Sequence, residues 1–402
     1  MKQMSQTISP HPIRVGLVGC GAMGRAISFQ VAATSGLRLE WACDQDPQAS
    51  HRAAAFTSTA SSSTNLRQLF ADRPIDVLVE ATNSIGSAAE YCLAAFENNT
   101  HVVLMNAEVD LALGPLLNHK AQKAGVTITS DAGDQHGVLA SLIAEAEQMG
   151  FDIIQAGNIK GFLDRYATPA SILPEATKRN LSATQCCAYT DGTKLHIEMA
   201  VLANALGYLP PEEGMTGPRA KTVQEALTLF DFSSYRNTPR IDYLLGAEPG
   251  GGVYLVVRPK KDLPPEQAFY LNYYKLGEGP EYLLYRPYHL CHLETPKAIF
   301  AAAANQPLLS QNQQTCEVYA YAKTDLPSGT SIRHAIGSTE CYGLVEPLNS
   351  ERVPICLLEN RTTLRKPLTR DQALSFDHLS LPSCRLTELW QEQQELLKAT
   401  TE

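Results

Sequence analysis

Two lysines stand in settings suited to work on a carbonyl group. Lys160 closes the segment Gly157-Asn158-Ile159-Lys160-Gly161, just past a strand-like run over 150–157. Lys194 follows Asp191-Gly192-Thr193 near the start of a helix, with Asp191 or Thr193 as its cap and Gly207 as its stop. When a hydride adds to a carbonyl carbon, negative charge develops on the oxygen. An ammonium group within hydrogen-bond reach stabilises that charge and can deliver a proton. Carboxylates accompany both lysines. Glu198 lies four residues after Lys194, on the same helical face. Asp134, Asp191 and Glu198 can hold the lysines, bind hydroxyls, or coordinate a divalent ion such as Mg²⁺ or Mn²⁺ through oxygen. Asp134, His136 and Asn158 are candidates for contact with substrate or metal. His136 and His196 suit either acid–base work or a structural place in the core.

These groups need elements to position them. Residues 13–19 read as a short buried parallel strand running into Gly19-Cys20-Gly21-Ala22-Met23-Gly24, and a helix follows from Arg25. Strand, glycine loop and helix in that order predict a dinucleotide site. Gly19 allows the tight turn, Gly21 lets the backbone approach a pyrophosphate, and Gly24 lets helix and strand pack closely. The helix N-terminus offers free N–H groups to the phosphates. A second strand, 37–43, ends at Asp44, placed to bind a ribose 2′-hydroxyl, which favours NAD; Arg25 offsets that bias towards NADP. Further strands are expected at 74–80, 100–105 and 126–130, with helices at 87–98 and 114–124. This alternation predicts a doubly wound parallel sheet. Ligands bind at the C-terminal strand ends of such sheets. Thr82, Asn83, Asn106, Glu108, Asp134 and His136 all follow those ends.

Composition removes other classes. The 402 residues allow two or three domains of roughly 150 residues. With 33 Lys+Arg against 42 Asp+Glu, the net charge of −9 argues against nucleic acid as a partner. No apolar run is long enough for a membrane helix, and the first dozen residues show no secretory signal. The ten cysteines are scattered, with no C-x-x-C pair, and read as reduced core thiols of a cytoplasmic protein. Residues 209–249 read as loop-rich, 250–258 and 268–275 as strands of a second sheet, and Thr295-Pro296 as the start of a helix. Short strands with Gly and Pro turns mark a small β unit after residue 306.

The glycine loop, Gly157-Asn158-Ile159-Lys160-Gly161-Phe162 and the Asp191–Lys194 stretch with its helix resemble homoserine-dehydrogenase-like oxidoreductases. Together with Asp134-Gln135-His136-Gly137 they are most similar to the branch of 1-deoxy-D-xylulose-5-phosphate reductoisomerase-like enzymes. Residues 317–330 and 364–373 resemble a SAF domain, a small β-clip fold. The resemblance implies a Rossmann NAD(P)-binding domain (1–150), an α+β catalytic and dimerisation domain (151–305) whose last helix packs back on the first, and a SAF-like domain (306–402). It further implies a homodimer and a lysine–carboxylate cleft. Asn106-Ala107 stands where homoserine dehydrogenases carry Asn-Lys, which argues against homoserine itself. The expected function is NAD(P)H-dependent oxidoreduction of a small hydroxy-carbonyl compound, free or phosphorylated, with or without isomerisation. The alternatives are a simple aldehyde or ketone reductase, a homoserine-dehydrogenase type of enzyme, and a non-catalytic nucleotide- and carbohydrate-binding protein.

Overall fold

The structure, a computed structural model, describes residues 11–179, 181–211 and 214–401. Most of the opening segment, on which the expectation of no secretory signal rests, lies outside them. The chain divides into two compact units. The first holds the residues up to Asn106, Leu117–Gly133 and Leu290–Ser310; the second holds Ala107–Leu116, Asp134–His289 and the chain from Gln311 onward.

The first unit alternates strands and helices in chain order: β1 (Ile13–Val18), α1 (Ala22–Ala33), β2 (Leu37–Cys43), α2 (Pro47–Ala54), β3 (Ser61–Ser63), α3 (Leu66–Asp72), β4 (Val77–Glu80), α4 (Ile85–Glu97), β5 (His101–Leu104), the second part of α5 (Ala107–Lys123), whose residues up to Leu116 belong to the second unit, and β6 (Ile128–Ser130). The six strands form one parallel sheet in the order β3-β2-β1-β4-β5-β6. Both faces must be covered, so the central strands are short apolar runs, and every residue of β4 is buried. One core joins Val15 and Leu17 of β1, Ile27 and Val31 of α1, and Ala298, Ile299 and Ala302 of the helix Cys291–Ala303. The sequence reading missed β3 because its three serines carry no apolar signal; it is an edge strand held by backbone pairing to β2.

The second unit continues with α6 (Gln135–Gln148), β7 (Phe151–Lys160), α7 (Leu173–Lys178), α8 (Ala183–Thr190), α9 (Thr193–Leu206), α10 (Ala226–Leu229), β8 (Arg240–Leu245), β9 (Val253–Pro259), α11 (Pro265–Tyr273) and β10 (Tyr282–Arg286). After α12 (Cys291–Ala303), which belongs to the first unit, come β11 (Cys316–Ala322), β12 (Ser331–Ile332), β13 (Cys341–Pro347), β14 (Thr362–Thr363) and α13 (Arg385–Thr401). A four-stranded mixed sheet runs β10-β9-β7-β8, parallel only between β7 and β8. Antiparallel pairs β11–β13 and β12–β14 make the small β region near the C-terminus. Helix α9 buries eleven of its fourteen residues, so its polar side chains Thr193, His196, Glu198 and Asn204 all lie inside the unit.

Three local expectations are corrected. Residues 268–275 are not a strand: Pro265 opens helix α11, and ring pairs four residues apart, Phe269–Tyr273 and Tyr270–Tyr274 at 6.4 and 6.2 Å, line one helical face. The helix expected to begin at Thr295-Pro296 begins at Cys291 and carries Pro296 inside it, because its buried face packs on the parallel sheet. The helix expected between an Asp191 or Thr193 cap and a Gly207 stop is α9. α8 ends at Thr190, Asp191 is its C-cap, and Gly192 at φ +88° turns the chain into α9. The loop-rich stretch 209–249 contains β8, paired parallel to β7.

Candidate active site

The nucleotide-binding face belongs to the first unit. Gly19 has φ +87°, and a Cβ there would lie 2.6 Å from the Ala81 backbone. A Cβ on Gly24 would lie 1.8 Å from the Gly19 carbonyl oxygen, so only glycine lets α1 sit this close to β1. A Cβ on Gly21 would meet nothing within 4 Å: the backbone there faces open space, the room a pyrophosphate needs. No side chain caps α1, and its ladder starts with the Arg25 N–H donating to Gly21, which leaves the amides of Ala22 and Met23 for an anion. Asp44 follows β2; its Oδ2 accepts from the Cys20 N–H at 2.6 Å and its Oδ1 from the Asp46 N–H at 2.9 Å. This ties Asp44 to the glycine loop. Thr82 donates through its hydroxyl and its N–H to Glu80, Asn83 is exposed, and the buried Asn106 donates to the Ser84 carbonyl at 3.5 Å. These residues follow the parallel strands β1, β2, β4 and β5, so the sheet brings Gly19, Gly21, Ala22, Met23, Gly24, Asp44, Thr82, Asn83 and Asn106 to one edge. Arg25 is exposed, with its guanidinium 5.8 Å from the centre of the Phe56 ring.

The second unit gathers a polar cluster from β7, α6, α9 and the start of α5. Gln135, buried at the start of α6, accepts through Oε1 from Asn158 Nδ2 at 2.9 Å and from Lys160 Nζ at 2.5 Å. Lys194 Nζ lies 2.6 Å from Glu108 Oε1, and the Tyr189 ring stands 5.9 Å from the ammonium. Burial works against the charge on Lys194, but Glu108, Tyr189 and Asp134 outweigh it and raise its pKa well above the ordinary lysine value. Asp134 is drawn down despite its burial by His136, Lys194 and His289. Glu198 goes the other way: burial, with Asp134 adding repulsion, pushes its carboxyl up to about 8. Its Oε2 has no hydrogen-bond partner. His136, 1 % exposed, has no partner on either ring nitrogen, and burial lowers its pKa.

The structure separates two of the sequence candidates from this cluster. Asp191 Oδ2 accepts from Lys323 Nζ at 2.7 Å, and its Oδ1 accepts from the Thr193 N–H at 2.8 Å. It is therefore half of a buried ion pair that also caps α9. His196 accepts through Nδ1 from the Val345 N–H at 3.3 Å, and burial pushes its pKa down to about 3, so it is a neutral core residue. Glu198 does not pair with Lys194 as the four-residue spacing suggested; the pairing goes to Glu108. The sequence reading placed Glu108 at the strand edge without linking it to Lys194. It missed Gln135 and Lys323, whose partners are remote in sequence, and Tyr189, whose ring meets Lys194 on the next helix. The oxygens of Asp134, Asp191 and Glu198 do not converge to within 4.8 Å of one another, and Asp191 is taken by Lys323. These three carboxylates form no ready-made set of ligands for a divalent ion.

The raised Glu198 pKa has a consequence for stability. The folded protein keeps a proton that the unfolded chain releases between about pH 4.5 and 8. Stability is therefore greatest below that window and falls as pH rises through it. Glu317, pushed up to about 8 by burial, acts with the same sign. Glu198→Gln is expected to flatten this slope, measured by urea unfolding at about pH 5 and about pH 8. An unchanged slope would show that Glu198 is already ionised in the folded protein at neutral pH.

The glycine loop on its parallel sheet has the geometry of a dinucleotide-binding fold, and the second unit holds a buried lysine–carboxylate cluster. Residues 19–131 match the family model described as the NAD binding domain of homoserine dehydrogenase. Residues 133–295 match the one described as the catalytic domain of oxidoreductase DRL. The chain is an NAD(P)-dependent oxidoreductase. Among solved structures it is similar to a probable dehydrogenase from Thermotoga maritima (TM-score 0.45, 12% identity, 73% of this chain and 90% of that one). It is also similar to a hyperthermophilic archaeal homoserine dehydrogenase in complex with NADPH (TM-score 0.44, 13% identity, 74% and 99%). A third is dipicolinate-bound dihydrodipicolinate reductase from Paenisporosarcina sp. TG-14 (TM-score 0.40, 13% identity, 75% and 96%). No curated protein sequence matches the chain. Among the described residues, no helix is long and apolar enough to cross a membrane.

Proposed function

We propose that the protein reduces a small hydroxy-carbonyl compound, and that Lys194, Lys160 and Glu198 carry the chemistry. The observation behind this reading is a cluster in which both groups hold their protons but differ in charge: Lys194, 2.6 Å from Glu108, is kept cationic, while burial keeps the Glu198 carboxyl neutral. The difference in charge assigns the roles. Lys194 is too weak an acid to give up its proton readily, so it serves as a fixed positive charge beside the carbonyl oxygen. Glu198, poised near neutrality, is the better proton donor. Lys160, oriented by Gln135, binds a neighbouring hydroxyl or phosphate oxygen, and Asn158 and Asp134 hold further hydroxyls. His136 borders the site. When bound by the glycine loop, NAD(P)H supplies the hydride. Two lysines in one cluster suit an α-hydroxyketone, which supports a reductoisomerase over a simple reductase. The β region after residue 306 is read as the SAF-like part, and the free cysteines among the described residues fit a reducing compartment.

The test is NADH and NADPH oxidation by the purified protein with a panel of aldehydes, α-hydroxyketones and their phosphates, with and without Mg²⁺ or Mn²⁺. The carbon skeleton of the product distinguishes isomerisation from plain reduction. Turnover confined to simple aldehydes would sink the hydroxy-carbonyl reading. Asp44 is expected to favour NADH, because its carboxylate repels a 2′-phosphate. Asp44→Asn should then raise the NADPH-to-NADH ratio of kcat/KM by at least about tenfold. An unchanged ratio would mean that Asp44 serves only as the tie to Cys20.

A further inference from the structure

We infer that Gln393, on the C-terminal helix, is a positioning residue for the Glu108–Lys194 pair. Within the second unit, α13 carries a buried stripe: Leu386 is 1 % exposed, Leu389 is 0 %, and Leu396 and Leu397 are half-buried. Gln393 lies in the middle of that stripe and is 0 % exposed. A glutamine at such a place costs free energy unless its amide is fully used. Gln393 uses both ends. Its Oε1 accepts from the Leu116 N–H at 3.1 Å, and its Nε2 donates to the Ala112 carbonyl at 2.9 Å. These two groups belong to a single step of α5, next to Pro115, which has no N–H to give the helix ladder. One side chain thus holds both ends of a ladder step where the helix already lacks a donor.

The same half of α5 has a second grip. Gln311 Nε2 donates to the Asp110 carbonyl at 2.6 Å and to Asp110 Oδ1 at 2.8 Å. Gly114 makes room for it, since a Cβ there would lie 2.5 Å from Gln311 Nε2. Glu108 sits one turn before Ala112, on the segment these two glutamines hold. The position of that segment sets the 2.6 Å contact between Glu108 and Lys194, and hence the charge state of Lys194. The inference rests on the proposed role of that pair.

The test reads Lys194 directly, without turnover. The protein is labelled with ¹³C at lysine Cε, and the Lys194 resonance is assigned by its absence in Lys194→Met. In the unaltered protein it should hold its protonated position throughout the accessible alkaline range. Glu108→Gln should bring its titration down by about 1 unit or more. Gln393→Met keeps the volume and lets the Leu116 N–H close on the Ala112 carbonyl as an ordinary helical step, so the variant can fold; Gln393→Leu is its duplicate. Both should lower the Lys194 titration in the same direction as Glu108→Gln. Leu389→Ala, one turn away on the same stripe, should reduce stability and leave the Lys194 resonance in place. If Glu108→Gln moves the titration and the Gln393 variants do not, or if Leu389→Ala moves it equally, the positioning role is overturned. If Glu108→Gln itself has no effect, the reading of the Glu108–Lys194 pair falls first.

Discussion

Lys194→Met is expected to lower kcat by about 10²–10³-fold while dinucleotide affinity stays the same. The magnitude is that of removing one preorganised donor from a developing oxyanion. Lys194 qualifies because its ammonium is fixed before substrate arrives, 2.6 Å from Glu108 and with its side chain only 13% exposed. Dinucleotide affinity should not change, because the glycine loop, Asp44 and Asn106 belong to the other unit. The variant removes the Lys194 ammonium from Glu108, so a fall in activity alone could come from local rearrangement. Lys194→Arg separates the two effects, because it keeps the charge and changes the reach. Partial activity in Lys194→Arg with almost none in Lys194→Met is the expected pattern. Equal kcat in all three proteins would remove Lys194 from the chemistry and shift attention to Lys160.

Lys323→Met is expected to destabilise the fold by about 3–5 kcal/mol, read from chemical denaturation. Lys323 Nζ donates to Asp191 Oδ2, the Ala167 carbonyl and the Ser338 carbonyl, each at 2.7 Å. Its side chain is 2% exposed and that of Asp191 is 0%. Removing the lysine strands a carboxylate in the interior, which costs far more than the intact pair contributes. Burial pushes the Asp191 carboxyl up even with Lys323 beside it, so the intact pair gives little net stability. The double change Lys323→Met with Asp191→Leu should therefore recover much of the loss. Asp191→Asn should reduce stability while folded enzyme at low temperature keeps its kcat. A large loss of kcat in that variant with little loss of stability would restore Asp191 to the catalytic group.

Much of the first unit was legible in the sequence because its signals are local. The spacing of Gly19, Gly21 and Gly24 is dictated by one turn and one helix–strand contact. The parallel strands announce themselves as short apolar runs because both faces of their sheet are covered. Asp44, Thr82, Asn83 and Asn106 could be placed because each follows a strand end. Lys160 and Lys194 were visible as lysines on elements with few other charges. The misreadings are also local. The aromatic run 268–275 suits a strand or a helix equally, and the neighbouring Pro265 with its ring pairs settles it as helix. The serines of β3 carry no pattern at all.

The tertiary structure decided who pairs with whom. Lys194 meets Glu108 across 86 residues, Asp191 meets Lys323 across 132, and Gln393 reaches Ala112 across 281. Helical spacing offered Glu198 to Lys194, but the burial of α9 took Glu198 out of water and raised its pKa instead. A sequence fixes which residues share a face of one element, because backbone geometry is periodic. Charge states and ion-pair partners depend on burial and on elements brought in from far along the chain, which no local period encodes.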